Sequence, residues 1–305
     1  MEPALQTLAH GQGGVFTTPQ ARALGLGDRH LARMRRDRVI TPIARSVSML
    51  GSASPTQPDA LLALRTRGAL ALYPDARAVG ASAVVELGLP LFGVEDPRAD
   101  IVRPVRREVV TELCRIRPPH PLVRRLAAPT PGREVAEALV QLALDHGHVT
   151  AVVAADRALH DGTVTVALLE EVAREIKGWP DAARVRTMLA YADGRAESVG
   201  ESRLRLFVRA LGWAVTPQAP VVEAGRVFAY ADLGVDGTNL LLEFDGRVKY
   251  ASDPDALWKE KRREDRARRQ GWVFERVIWS ELDRPELLVP RLLAAKAAAG
   301  PPPGA

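Results

Sequence analysis

The stretch Tyr230–Lys249 reads YADLGVDGTNLLLEFDGRVK. Two apolar runs, Arg226–Ala231 and Asn239–Phe244, flank Gly234-Val235-Asp236-Gly237. Asp-Gly between apolar runs is a strong short-range hairpin signal. Asp232 closes the first run, Glu243 lies at the end of the second, and Asp245 follows two residues later. A carboxylate ending an apolar strand is costly to bury unless something pairs with it. Two of them about 4 Å apart repel by roughly 4 kcal/mol at an effective dielectric of about 20. A divalent cation reverses the sign of that interaction. Oxygen donors with no Cys or His among them favour Mg2+ or Mn2+ over zinc.

This arrangement resembles the PD-(D/E)XK nuclease pattern, in the branch similar to very-short-patch-repair endonucleases. The residues that carry the resemblance are Glu201 in GESRLR, Asp232 in YADLG, Glu243 and Asp245 in LLEFDGRVKY, and the segment LWKEKRREDRARRQGWVFERVIW. They cover about the last third of the chain. Two positions depart from the pattern: Asp245 stands where the motif lysine is usual, and Ala231-Asp232-Leu233 where relatives usually read Val-Asp-Phe. The resemblance implies a restriction-endonuclease-like core and metal-dependent hydrolysis of DNA phosphodiesters. Asp232, Glu243 and the backbone carbonyl of Phe244 would hold Mg2+ or Mn2+, and Glu201 would complete the shell through water. A helix start favours glutamate at position 201 in any case. Asp245 would orient the attacking water or share the metal. Lys249 or Lys261 would supply the positive charge that the missing motif lysine leaves out. Next to such a site Lys259, Lys261, Arg262 and Arg266, on a helix read from Pro254 or Asp255 to about Gln270, would hold DNA phosphates. Arg276 resembles a family position, and a strand-edge ion pair explains it equally well.

The chain has 305 residues, 47% apolar and 26% charged, with a formal net charge of +5. Those values are ordinary for a globular protein of two or three domains. The pI of about 9.7 leans towards anionic partners without deciding the matter. A single Cys114 excludes an intrachain disulfide and suits a reducing cytoplasm. No apolar run reaches the roughly 18 residues of a membrane span, and MEPALQTLAHGQGG lacks the shape of a signal peptide.

Residues 5–50 read as three short helices and a wing. Thr17 or Thr18 caps the second helix with Pro19 in its first turn, and Asp28 caps the third. Leu31 and Met34 face inward, while Arg29, Arg33 and Arg36 share another face. Between Asp28 and Arg45, itself basic, there are six arginines against two acids. Two helices joined by a short Gly-bearing turn, the second with a basic face, describe a helix-turn-helix that meets double-stranded DNA. The segment GGVFTTPQARALGLGDRHLARMRRDRVITPIARSVSML is similar to the winged helix-turn-helix at the N-terminus of AbiEi-type antitoxins. That resemblance implies a DNA-binding head and a cognate toxin. Helix-turn-helix readers commonly dimerise on palindromic sites, which makes a homodimer a further expectation.

The fold expected is therefore α+β and multidomain. It comprises a winged helix-turn-helix (1–51), a linker GSASPTQP, a mixed α/β middle region (59–180), a nuclease-like core (181–293) and a disordered tail (294–305). Asp145, His146, His148, Asp156 and His160 do not have the spacing of a ligand set and read as exposed helix ends. The rival to a nuclease is an antitoxin-like transcriptional regulator with a catalytically silent nuclease fold.

Overall fold

Local sequence already decides the start of the first unit. The computed structural model describes residues 2–52, 54–120, 122, 131–223, 225–246 and 254–303, with backbone alone at 131 and 254–260. It divides into two units, Met1–Ala192 and Asp193–Ala305. The first begins with α1 (Pro3–Gly11), β1 (Val15–Thr17), α2 (Thr18–Ala23), α3 (Asp28–Arg36), β2 (Ile40–Ala44) and β3 (Val47–Leu50). The strands form an antiparallel sheet in the order β1-β3-β2. Leu5, Ala9, Phe16, Ala21, Leu26, Leu31 and Ile40 make the core under the three helices.

Thr17 caps α2. Its hydroxyl accepts from the Gln20 amide at 3.2 Å, and the Gln20 side chain accepts from the Thr17 amide at 2.9 Å. Thr17→Ala removes half of this reciprocal pair and is expected to cost about 1 kcal/mol. Chemical denaturation followed by circular dichroism reads that loss, and an unchanged midpoint would show the cap to be idle. The cap of α3 differs from the sequence reading. Gly27 occupies the cap, while Asp28 enters the helix and its carboxylate accepts from Arg22 at 2.9 and 3.1 Å. An acid is favoured in the first turn by the helix dipole as well as at the cap itself, so residue type does not separate the two positions.

The unit continues with α4 (Pro58–Leu72), β4 (Arg77–Ala78), α5 (Gly80–Glu86), β5 (Ala99–Val102), β6 (Val109–Val110) and β7 (Cys114–Arg117). These strands order β4-β5-β7-β6, with β5 and β7 parallel. Residues 109–117 hold two short antiparallel strands, because Thr111 turns the chain and its hydroxyl accepts from the Cys114 amide at 3.0 Å. Val15, Ile43 and Val47 of the first sheet share one buried cluster with Leu64, Ala99, Ile101 and Cys114. Gly51–Pro58 thus joins parts that pack on each other. Gly68 lets α4 reach the hairpin: a Cβ there would lie 2.7 Å from Val47. The Cys114 side chain is sealed, and burial pushes its thiol pKa up.

Helices α6 (Pro131–His146), α7 (His148–His160), α8 (Val166–Glu175) and α9 (Ala182–Tyr191) complete the unit. Arg117 on β7 joins Asp100 on β5, at 3.1 Å, to Asp145 on α6, at 3.0 Å. Arg77 joins Glu137 on α6 at 2.7 Å. Asp156, expected at an exposed helix end, is 1% exposed. It lies within α7 on a face that packs inward together with Val152, Val153 and Ala155.

The second unit contains α10 (Val199–Ala210), β8 (Val215–Glu223), β9 (Arg226–Val235), β10 (Leu240–Phe244), α11 (Pro254–Arg269), β11 (Val273–Val277), α12 (Trp279–Leu282) and α13 (Pro285–Ala298). Its sheet orders β11-β10-β9-β8. β8, β9 and β10 are antiparallel, and β11 runs parallel to β10 after the crossover through α11. Leu204, Val208, Leu233, Leu242, Val277, Leu288 and Leu292 pack α10 and α13 on the sheet. Ala219, Val221, Leu241, Phe274 and Ala267 of α11 form a separate cluster. The expected tail is instead helical to Ala298, and the Gly300 amide donates to Asn239 at 2.9 Å. Leu288 and Leu292 anchor that helix in the core, so its alanine-rich end continues an ordered element rather than starting a tail. No helix among the described residues is long and apolar enough to cross a membrane.

Candidate functional site

The Asp-Gly signal yields a β9–β10 hairpin, with Gly237 at φ +73° in its turn. Leu233 pairs with Leu242 and Gly234 with Leu241, so Asp232 and Glu243 occupy the next opposed positions. Opposed residues of an antiparallel pair share one face of the sheet. Asp232 Oδ2 accepts from the Phe244 amide at 2.7 Å, which ties the carboxylate to the end of β10. Asp232 also marks a change in what β9 buries: Ala229 and Ala231 belong to the cluster with Ala267, whereas Leu233 and Val235 belong to the α10 cluster.

Across from Asp232 on β8 lies Gln218, between the pairs Pro217–Leu233 and Ala219–Ala231. Gln218 has φ +48°, a left-handed conformation unusual for a residue other than glycine, asparagine or aspartate. Such backbone strain clusters at functional positions. Its Nε2 donates to Glu201 Oε2 at 3.4 Å. Glu201 is 4% exposed and sits in the first turn of α10. Its Oε2 accepts from the Glu197 amide at 2.9 Å, and its Oε1 from the Ser198 hydroxyl at 2.8 Å. Glu201 therefore does serve the helix start, while also facing Gln218.

α10 reaches the sheet because residue 200 has no side chain. A Cβ on Gly200 would lie 2.0 Å from the Phe244 ring, which stacks edge-on against Trp279 with centroids 4.9 Å apart. Glu243, its side chain 12% exposed, lies between Arg263 Nη2 at 3.6 Å and Arg276 Nη2 at 3.7 Å. Arg276 also pairs with Glu264 at 2.7 Å. The Asp245 amide donates to the Val277 carbonyl at 2.9 Å, holding the residue at the mouth between β10 and β11.

Glu201, Asp232, Glu243 and Asp245 all line one mostly polar cavity of about 430 Å³. Phe244, Gln218, Arg263 and Arg276 line it as well. The donor atoms are oxygens, which fits a hard divalent cation in chemistry. Among the described residues no three His, Cys, Asp or Glu side chains are gathered into a ready-made ligand set.

Of the cations that face this cavity, Arg276 is one the resemblance had pointed to and Arg263 is not. Lys261 is exposed on α11 and outside the lining. Two residues further along a helix is a turn of about 200°, and it is Arg263 that faces inward. Arg262 is exposed. Arg266 is occupied: it pairs with Glu223, holding that carboxyl below its usual pKa, and covers the Phe228 ring at 4.3 Å. Lys249 and the side chain of Lys259 lie outside the described residues. Gln218 and Arg263 carried no sequence signal that singled them out.

On α3, Arg29, Arg33 and Arg36 are exposed, with Arg33 3.5 Å from Asp37. Arg45 is exposed at the β2–β3 turn beside Ser46, whose φ is +67°. Leu31 is buried and Met34 packs on the same core, which turns the arginine side of α3 outward.

Residues 3–47 match the family model described as "Transcriptional regulator, AbiEi antitoxin". The chain thus carries an antitoxin-type regulator domain at its N-terminus. Among solved structures it is similar to the RV2827C protein from Mycobacterium tuberculosis, at 20% identity over 67% of this chain and 79% of that one, with a TM-score of 0.35. No curated protein matches the chain.

Proposed function

We propose that this chain binds double-stranded DNA through a winged helix-turn-helix head and hydrolyses a phosphodiester in a PD-(D/E)XK-type C-terminal domain. The observation that carries the hydrolytic reading is the meeting of Glu201, Asp232, Glu243 and Asp245 with two arginines around one cavity. Asp232, Glu243 and the Phe244 carbonyl would hold Mg2+ or Mn2+, with Glu201 in support through water. When bound, such a cation polarises the phosphate and lowers the pKa of an attacking water. Arg263 and Arg276 stabilise charge on the phosphate oxygens, and Asp245 orients the water. Arg29, Arg33, Arg36 and Arg45 meet phosphates and base edges, and Arg262 extends phosphate binding along α11. Repair or defence against foreign DNA in the cytoplasm suits this combination.

Nicking of supercoiled plasmid tests the reading. Wild-type protein with Mg2+ or Mn2+ is expected to convert plasmid to the open-circular form. Asp232→Ala combined with Glu243→Ala is expected to lose at least about 100-fold in rate, the scale of removing transition-state electrostatics. Equal cutting by the two proteins would sink the hydrolytic reading.

The family match over residues 3–47 favours a second reading, a transcriptional regulator with a cognate toxin and a silent nuclease fold. Metal-independent, salt-sensitive binding to the promoter of its own gene, without cutting, would select it. A homodimer on a palindromic site is compatible with either.

A further inference from the structure

We propose that the groove between α8 and α9 docks an acidic amphipathic helix of a partner protein, which makes the middle region a recruitment surface. The inference stands apart from both functional readings above. The groove has a volume of about 370 Å³. Ala173 and Ile176 form one wall, and Ala182, Val185 and Leu189 form the other. On α9, Ala182, Val185, Arg186 and Leu189 recur at the i, i+3, i+4, i+7 spacing that puts side chains on one helix face. Ile176 and Val185 are each 1% exposed, so the floor is recessed rather than protruding. An alanine on each side, Ala173 and Ala182, leaves the trough unfilled by the helices' own side chains.

Charge marks the rim. Arg174, Lys177 and Arg186 are exposed along it, against one acid, Glu170. Among the described residues none of the three cations pairs with a carboxylate. Arg174 donates to the Glu170 backbone carbonyl at 3.3 Å. The neighbouring acids of α8 are already committed: Glu171 and Glu175 pair with Arg133 at 3.2 and 2.5 Å. Positive charge is therefore left over around an apolar floor. A helix laid in such a groove seats apolar side chains at helical spacing, and carboxylates on its flanks meet the rim cations. A second copy docked by twofold symmetry on the same face would set one basic rim against another. A bilayer is entered by apolar side chains that project, not by a recessed floor. A nucleic acid is held through its phosphates and would leave the apolar floor unused.

The test uses full-length protein and a fluorescein-labelled helical peptide with leucines at i, i+3, i+4 and i+7 and glutamates on both flanks. Fluorescence anisotropy is expected to show binding at least about tenfold tighter than that of a scrambled peptide of the same composition. Lys177→Glu combined with Arg186→Glu is expected to weaken binding about tenfold or more, and a peptide with lysines in place of its glutamates to recover it. Leu189→Glu is expected to abolish binding, provided its thermal unfolding is unchanged; the exposed rim pair carries the test if it is not. Equal binding of the scrambled peptide, or indifference to charge reversal, would overturn the proposal. A dimer in sedimentation velocity that the rim reversal dissolves, without peptide binding, would assign the groove to a second copy and overturn it as well. So would binding of laurate or of phosphatidylglycerol vesicles by a protein that ignores the peptide.

Discussion

Replacement of Arg117 by methionine is expected to lower the unfolding free energy of the first unit by about 3–5 kcal/mol at neutral pH. Arg117 is 13% exposed in its side chain, and Asp100 and Asp145 are 10% and 17% exposed. One guanidinium therefore serves two carboxylates on separate elements. Methionine keeps the apolar stem but leaves both acids short of their partner, with Arg115 only 3.8 Å from Asp100 and Gln141 still donating to Asp145. The loss should depend on pH in a stated direction. Burial already pushes the Asp100 pKa above its ordinary value, although Arg117 and Arg115 pull it down. Removing Arg117 pushes it higher. A carboxyl whose folded pKa exceeds its unfolded one binds its proton more tightly in the fold. Stability from that proton is present below the unfolded pKa and is lost as pH rises through the folded pKa. The deficit of the variant should thus be largest at neutral pH and shrink as pH falls through the raised Asp100 pKa. Urea unfolding at neutral and mildly acidic pH measures it. A deficit below about 1 kcal/mol, the value of a surface pair, or one independent of pH, would contradict the assignment.

Gly200→Ala is expected to cost the second unit about 1–3 kcal/mol or more through overpacking. The added methyl would stand 2.0 Å from the Phe244 ring, which also packs edge-on against Trp279. Either α10 lifts, carrying Glu201 away from Gln218, or Phe244 leaves its position at the end of β10. Phe244→Leu in the same chain makes room and is expected to recover part of the loss, a non-additivity diagnostic of direct contact. Thermal unfolding of the two single variants and the double variant reads this. Strict additivity would show that the ring has space elsewhere.

The parts of this structure that sequence reading reached are those set by neighbours along the chain. Thr17 or Thr18 before Pro19 names a helix start, and Asp236-Gly237 names a turn, because each signal is satisfied within a few residues. Asp232 and Glu243 followed from that turn, since a hairpin register puts them opposite each other. What escaped was brought together from a distance. Arg117 meets acids 17 residues before it and 28 residues after it, and nothing in a run of arginines marks which one turns inward. Arg263 faces the cavity while Lys261 does not, a distinction made by the packing of Ala267 on the sheet rather than by charge. Gln218 takes a left-handed backbone that no local residue preference announces. The tail was misjudged because alanine and proline composition outweighed Leu288 and Leu292, whose burial holds the last helix in place.

The sealed position of Cys114 has a practical corollary. It is the sole sulfhydryl of the chain and lies fully enclosed at the start of β7, with its ionised form disfavoured. Thiol-directed dyes and spin labels therefore meet no competing native target. A cysteine introduced at exposed Ala32 on α3 would be the single point of attachment, giving a reporter on the arginine-bearing helix without first rebuilding the protein.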